Sequence, residues 1–281
     1  ANVVALQSVN HRWQSVICAA SAHIHVDEGG APESMAGMKL WTVPTADGKL
    51  RPDDVQGQCF DMEFVHRAQP GAVSITQSSE MGTVYSPDEV SALAEVAHAN
   101  NLALHMDGAR LSNAAASLHV PVRAFTVDAG VDLVSFGLTK NGAMAAESVI
   151  VLNGDRVQGV DFLRKTSMQL ASKMRFLSAQ FVAMLTDDLW LRSAGHANAM
   201  ASRLHDGVGD LSGVTITQSV DANAVFVLLP EQVASRLQER FHFYTWDQAT
   251  GEVRWMCAWD TTESDVDDFV AAVRGEIASG A

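Results

Sequence analysis

The feature that most constrains this chain is a helix whose start is written into the sequence, with a short apolar run on either side. Ser86-Pro87-Asp88-Glu89 combines an N-cap hydroxyl, proline at the first helical position and a capping-box glutamate. Val90, Leu93, Ala94 and Ala97 follow at i, i+3, i+4 and i+7, which places an apolar stripe on one helix face. Val73–Gln77 precedes this helix and Leu102–Met106 follows it, both of strand length. A β-α-β unit of this kind implies parallel strands with the helix lying on the sheet. Further strands are expected at Ser15–Ala19, Leu40–Pro44, Leu133–Phe136 and Ser148–Leu152. Most of these runs lack clean alternation, as strands buried on both faces should. The chain therefore reads as α/β, with a mostly parallel central sheet covered by helices.

From Asp161 to about Leu204 the pattern is helical almost throughout, with no proline or glycine before Gly195. After Gly207 the texture changes to strands at Thr215–Gln218 and Ala224–Leu229, a helix over Glu231–Arg240, and an aromatic strand pair. A final helix is opened by Thr262 and Asp265 in capping-box spacing. A boundary near Thr186–Trp190 would divide the 281 residues into a large domain, 1–187, and a small C-terminal α+β domain, 188–281.

Composition narrows the partners. The net charge of −14 argues against a nucleic-acid binder, which needs a dense basic face. Any anionic ligand must be held by a few placed cations. No apolar run approaches the roughly 18 residues of a membrane span, so no membrane partner is expected. The three cysteines form no C-x-x-C pair and no disulfide framework, which points to a reducing, cytoplasmic setting. No His/Asp/Glu cluster has ligand spacing, so no metal is expected. There is no signal-peptide pattern, and the opening at Ala1 rather than methionine reads as if cut from something longer.

Three polar groups stand at expected strand ends. Lys140 is the only charged residue in LVSFGLTKNGAMAA, 133–146, and one of five lysines in the chain. Apolar surroundings favour the neutral, nucleophilic amine that a Schiff base with an aldehyde requires, although a snorkelling loop lysine would read the same way. In LALHMDGAR, 102–110, an apolar strand runs straight into Asp107, Gly108 and Arg110. Carboxyl ends of strands are where open α/β sheets bind ligands, but an Asp capping the next helix and paired with Arg110 is an equal alternative. His23, in SAHIHVDEGG, stands at a third such end. Lysine, carboxylate and flat imidazole together match the needs of pyridoxal phosphate: an imine partner, a charge for the pyridine nitrogen and a ring to stack.

The segments AHIHVDEGG, SITQSSEMGTVYS (74–86), LHMDGARLSNA (104–114), SFGLTKNGA (135–143) and VRWMCAWDTT (253–262) carry a resemblance over essentially the whole chain. It resembles the threonine aldolase / β-eliminating lyase family of fold-type I pyridoxal-phosphate enzymes. The resemblance implies the aspartate-aminotransferase-like, PLP-dependent transferase fold. It implies that Lys140 binds the cofactor covalently, Asp107 keeps its ring nitrogen protonated and His23 stacks on its face, with Thr139 a further contact. Arg110 and Arg254 would hold the substrate carboxylate, and Lys173 and Arg175 would reach a partner subunit's phosphate region. Some family members have a histidine in place of Glu80, in a loop expected near the substrate's β-substituent. Family members also carry several tens of residues before the position of Ala1, ending in a Gly-Thr turn that cradles the phosphate; that cup lies outside this sequence. The implied activity is cleavage of L-threonine, L-allo-threonine or a related β-hydroxy-α-amino acid to glycine and an aldehyde. 3-Phenylserine cleavage, β-elimination and a non-catalytic fragment are the alternatives. The implied assembly is a homodimer or homotetramer with the site between subunits.

Overall fold

The computed structural model describes residues 1–280. Its main sheet contains β1 (Gln14–Ala19), β2 (Lys39–Val43), β3 (Gln69–Thr76), β4 (Ala103–Gly108), β5 (Leu133–Gly137) and β6 (Glu147–Val151), in the order β2-β1-β3-β4-β5-β6. Every expected strand in this half forms. Five run parallel, and β6 pairs antiparallel with β5. Four of these strands bury nearly every residue in the apolar core, but β6 is a half-exposed edge whose Ile150 and Val151 face solvent. Its apolar residues reflect strand propensity rather than burial on both faces.

Helices α1 (Asn2–Gln7), α2 (His23–Val26), α3 (Ala31–Ser34), α4 (Pro52–Gln58), α5 (Pro87–Ala99) and α6 (Leu111–Leu118) flank the sheet. α5 is built as its sequence dictates. Ser86 Oγ accepts from the Glu89 amide at 3.2 Å, the Ser86 amide donates to the Glu89 carboxylate at 2.7 Å, and the stripe Val90, Leu93, Ala94 and Ala97 is buried. The stripe meets Leu102, Leu104, Met106 and Phe125 in one core. After β1 the chain first adds β2 on one side, then returns to place β3 on the other. The strand order therefore reverses beside β1, and in an open α/β sheet such a reversal marks the crevice outside the carboxyl ends where ligands bind.

The expected near-continuous helix over 161–204 is instead three helices: α7 (Val160–Thr166), α8 (Arg175–Leu185) and α9 (Leu189–Val208). Met168, Asp187 and Asp188 adopt left-handed backbone at φ 60°, 52° and 54°. Asp tolerates that region, so the chain breaks there without glycine or proline. Phe162, Met168, Phe176, Val182 and Leu185 are exposed, so much of the apolar character of this stretch faces outward.

α9 joins the two halves of the molecule. It packs on α6, where Asn113 and Asn198 exchange hydrogen bonds of 3.0 and 2.9 Å, and also on the last helix of the chain. The C-terminal unit has β7 (Thr215–Ile216), β8 (Ala224–Leu228), β9 (Tyr244–Asp247) and β10 (Glu252–Met256), antiparallel in the order β7-β8-β10-β9, with α10 (Glu231–Gln238) and α11 (Glu263–Gly280). Its own core contains Val225, Val227, Val253, Trp255 and Val266 together with Leu204 of α9. Thr262 caps α11 as its spacing indicated, accepting from the Asp265 amide at 3.1 Å. Among the described residues no helix is long and apolar enough to cross a membrane.

Gly108 lets β4 approach β5 directly behind Asp107. A Cβ there would lie 2.9 Å from the Ser135 carbonyl oxygen and 3.0 Å from Val134 Cγ1. Gly108→Ala is expected to lower the unfolding free energy by about 1–3 kcal/mol, measured by urea denaturation. Unchanged stability would show that the two strands need no such contact.

Candidate functional site

The carboxyl ends of β1, β3, β4 and β5 deliver four polar segments to the crevice, and a hydrogen-bonded chain links three of them. His23 stands at the head of α2, whose turn brings Glu28 back to its ring: Nδ1 lies 3.0 Å from Glu28 Oε1. The His23 amide donates to Glu80 Oε1 at 2.8 Å. Asn2 Nδ2 donates both to Glu28 Oε1 and to Asp107 Oδ2, each at 2.8 Å. Glu80, His23, Glu28, Asn2 and Asp107 are thus tied in series.

Electrostatics follows this wiring. The Glu28 hydrogen bond holds the His23 imidazole above its ordinary value, against burial and the charge of Lys140. Burial pushes Glu28 up, but hydrogen bonds from His23 and Asn2 outweigh it and hold the carboxyl below its usual range. With Nδ1 assigned to Glu28 by this network, Nε2 is the ring nitrogen left free. Asp107 Oδ1 accepts from the Ala109 amide at 3.0 Å. Glu80 is buried, and Oε1 accepts a second hydrogen bond, from Thr76 Oγ1 at 2.8 Å, while Oε2 is buried without a partner. Burial, reinforced by Asp107, pushes the Glu80 carboxyl up.

The cations are crowded. Arg110 sits just before α6 and, among the described residues, forms no ion pair with Asp107, so the simple helix-cap pairing does not occur. Burial and the nearby charge of Arg254 both hold its guanidinium below the ordinary value. Arg254 comes from β10 of the C-terminal unit and lies 4.4 Å over the Trp246 ring, with its Nε buried and unpartnered. Burial depresses this guanidinium as well.

Lys140 follows β5 in a short 3-10 turn, Thr139–Asn141. Solvent reaches its side chain, yet the surrounding walls and the charge of Arg110 hold the ammonium below its ordinary value. Its loop is pinned on several sides. Asn141 Nδ2 donates to the Trp190 carbonyl at 2.8 Å, and Thr139 Oγ1 accepts from the Ala146 amide at 3.1 Å. Gly142, at φ 108°, lies so close to Trp259 that a Cβ would sit 3.2 Å from the indole, and its left-handed backbone favours glycine.

His23, Glu80, Asp107, Arg110, Lys140 and Arg254 therefore share one neighbourhood, in which each shifted group feels others of the set. Thr139 borders it, with its hydroxyl used in loop closure. Lys173 and Arg175 lie apart, exposed at the start of α8, where Arg175 stacks 4.8 Å over Phe176. The sequence reading overlooked Asn2, Glu28 and Trp246. Glu28 carries a legible signal, standing five residues beyond His23 across a helical turn. Asn2 has none, because its bond to Asp107 spans 105 positions.

Comparison with known proteins places this geometry among relatives. A family model described as beta-eliminating lyase matches residues 1–232. The chain is 41% identical over 276 residues to a protein named low specificity L-threonine aldolase from Pseudomonas sp. (strain NCIMB 10558), covering 98% of this chain and 80% of that relative. A protein of the same name from Pseudomonas aeruginosa is similar at 41% identity over the same shares. The solved threonine aldolase of Leishmania major superposes with a TM-score of 0.91 at 28% identity, over 98% of this chain and 81% of that one.

Glu28→Gln removes the main influence that raises His23 and leaves burial and Lys140, which lower it. The His23 pKa is expected to drop below its wild-type value, read from its Hε1 resonance by NMR titration. In the native pair, the His23 contribution to stability is present below the ordinary histidine value and is lost as pH rises through the raised one. The Glu28 contribution is present above the ordinary glutamate value and is lost as pH falls through the depressed one. An unchanged His23 titration in the variant would refute the wiring.

Proposed function

The chain belongs to the β-eliminating lyase family, and from that premise we propose that it is a pyridoxal-phosphate-dependent aldolase. It cleaves L-threonine, L-allo-threonine or a related β-hydroxy-α-amino acid to glycine and an aldehyde. The observation that carries this reading is the meeting of Lys140, Asp107, Arg110 and Arg254 at the carboxyl ends of β4 and β5, with two guanidiniums that no ion pair neutralises among the described residues. The names and coverage of the Pseudomonas relatives support the same activity.

The residues present suit the cofactor. Asp107 spends one acceptor position of each oxygen on Asn2 and Ala109, and each oxygen keeps another for a ring N–H. Lys140 makes no hydrogen bond among the described residues, and its depressed ammonium gives up a proton readily. His23, locked by Glu28, offers a ring of fixed orientation. When bound, pyridoxal phosphate supplies an aldehyde for amines and a ring that accepts electrons released at Cα.

The chain's own part is placement. Lys140 presents its amine as nucleophile, and the surrounding walls and the charge of Arg110 shift it towards the neutral form. Asp107 stabilises a proton on the ring nitrogen through its charge. Arg110 and Arg254 form a paired anion site for the substrate carboxylate, and a guanidinium binds a carboxylate best through two parallel hydrogen bonds. Fixing the carboxylate fixes rotation about Cα, and that rotation decides which bond at Cα breaks. Arg254 projects from the C-terminal unit, so both halves of the molecule hold one substrate.

We assign Lys173 and Arg175 to the site of a second copy. Both are exposed away from their own cluster, beside the exposed apolar residues Phe162, Phe176, Val182 and Leu185. An apolar surface of this kind marks an interaction face. The free Cys18, Cys59 and Cys257 support a cytoplasmic setting.

Purified protein incubated with pyridoxal phosphate is expected to gain the absorbance of a lysine–cofactor link and to release acetaldehyde from L-threonine; Lys140→Ala loses both. Pyruvate from L-serine or L-cysteine with no aldehyde from threonine would replace the aldolase reading with elimination. In light scattering, a dimer or tetramer mass is expected, and a monomer mass at micromolar concentration would overturn the shared-site assignment.

A further inference from the structure

Cleavage of a β-hydroxy-α-amino acid needs a group that takes the β-hydroxyl proton, and the cluster contains a carboxylate oxygen that is buried and has no hydrogen-bond partner among the described residues. We propose that Glu80 is the acid–base residue at the substrate's β-oxygen, acting through Oε2; this deepens the aldolase reading and rests on it.

The geometry of the carboxyl group separates its two oxygens. Oε1 accepts from the His23 amide and from Thr76 Oγ1, both at 2.8 Å, so its acceptor positions are filled. A proton on this carboxyl must therefore sit on Oε2. That oxygen is buried and has no partner among the described residues. Of the buried, unpartnered side-chain atoms among the described residues, it is the only carboxylate oxygen. An atom in that state carries the full cost of desolvation unless a ligand supplies the missing hydrogen bond.

Its surroundings point into the site. Lys140, Arg110 and Arg254 all feel the charge of Glu80, so the carboxyl lies among the groups proposed to hold the substrate. His23 and Asp107 complete the charged neighbours. Cys18 and Tyr85 also face it, but burial holds the thiol up at about 12 and raises the phenol further, so both stay protonated. The loop that carries Glu80 is braced: Ser79 and Thr83 exchange hydroxyl and backbone bonds at 2.6 and 2.9 Å, and Gln77 closes onto the Tyr85 backbone at 2.8 and 2.9 Å. The carboxyl is thus fixed before substrate arrives. His23 suits this role less well, because Glu28 stabilises its protonated form, which accepts no proton.

The step balances without an outside reagent. In cleavage, the β O–H bond breaks and its proton passes to the ionised Oε2. The O–H pair becomes the second carbon–oxygen bond of the aldehyde, the Cα–Cβ bond breaks, and its electron pair remains at Cα until protonation gives glycine. In the reverse addition, protonated Oε2 returns the proton to the aldehyde oxygen. Burial raises the Glu80 carboxyl, which brings both protonation states closer to working pH.

The test compares wild type with Glu80→Gln, which keeps the Oε1 acceptor and the shape of the side chain. The variant is expected to bind 2-aminobutyrate, which lacks the β-hydroxyl, with wild-type affinity while cleaving L-threonine about 10²–10⁴-fold more slowly. Wild-type kcat should rise with pH through a limb that the variant lacks. In the cofactor-free chain, infrared difference titration should show a protonated-carboxyl band that persists above the usual carboxylate range and vanishes in Glu80→Gln. Cleavage within about threefold of wild type, a persisting limb, or equal loss of 2-aminobutyrate binding and cleavage would each overturn the proposal while leaving the aldolase reading intact. A wild-type protein that neither binds the cofactor nor cleaves threonine would sink both.

Discussion

The site depends on positive charges crowded together and partly withdrawn from water. Arg110, Arg254 and Lys140 lie close enough to disturb one another in a chain whose net charge is −14. Nothing about so acidic a molecule requires its cations to go unpaired. Several elsewhere are paired: Lys49 bonds to Glu89 at 2.7 Å, Arg123 to Asp128 at 2.7 Å and Arg203 to Asp267 at 2.8 Å. In the crevice, burial depresses both guanidiniums; Glu80 acts on both, Asp107 on Arg110 and Asp27 on Arg254, but among the described residues no carboxylate forms an ion pair with either. Desolvated charge without a partner is costly, and folding sustains it only when the rest of the structure over-determines the placement. That cost is recovered when an anion arrives, so the crowding favours a ligand bearing a carboxylate. Arg110 also depresses Lys140, so the guanidinium and the amine share one field.

Parallel topology supplies the over-determination. Thr76, Asp107 and Ser135 are neighbours across β3, β4 and β5, so groups distant in sequence arrive at one level of the sheet. Beneath Asp107, His105 is fully buried between Ser74 and Ser135, with hydrogen bonds of 2.9 Å to each hydroxyl. Burial pushes this imidazole down to about 4, so it stays neutral and adds no charge below the site. The three strands are stitched together by side chains as well as by backbone, which fixes the height of Asp107. Gly108 then allows the close strand contact that keeps it there.

Much of this was legible because it is local. The cap and stripe of α5, the apolar runs of β1 to β5 and the isolated Lys140 each announce themselves within about ten residues. What was not legible is either long-range or permissive. The bond from Asn2 to Asp107 has no local signature. The break at Asp187 and Asp188 depends on aspartate tolerating left-handed backbone, which a count of helix breakers does not register. The exposed apolar side of α7 and α8 has the same period as a buried one, so periodicity finds the helices but not the direction they face. Lys140, Asp107 and His23 stood out because a polar residue directly after a buried strand conflicts with its surroundings, and such conflicts gather at functional sites.

The C-terminal unit completes the site rather than merely covering it. Arg254 is aimed by Trp246, whose ring packs under the guanidinium and is itself braced by Phe226 at 5.5 Å. Five residues beyond Arg254, in the loop after β10, Trp259 lies against Gly142, two residues after Lys140. One strand and the loop after it therefore supply Arg254 and touch the lysine loop, while α9 fastens the unit to α6. A shift of this unit would move Arg254 and loosen the lysine loop together, so the placements of Arg254 and Lys140 are mechanically coupled. Such coupling requires rigid connection, and the aromatic packing of Phe243, Trp255 and Phe269 beneath β10 provides it.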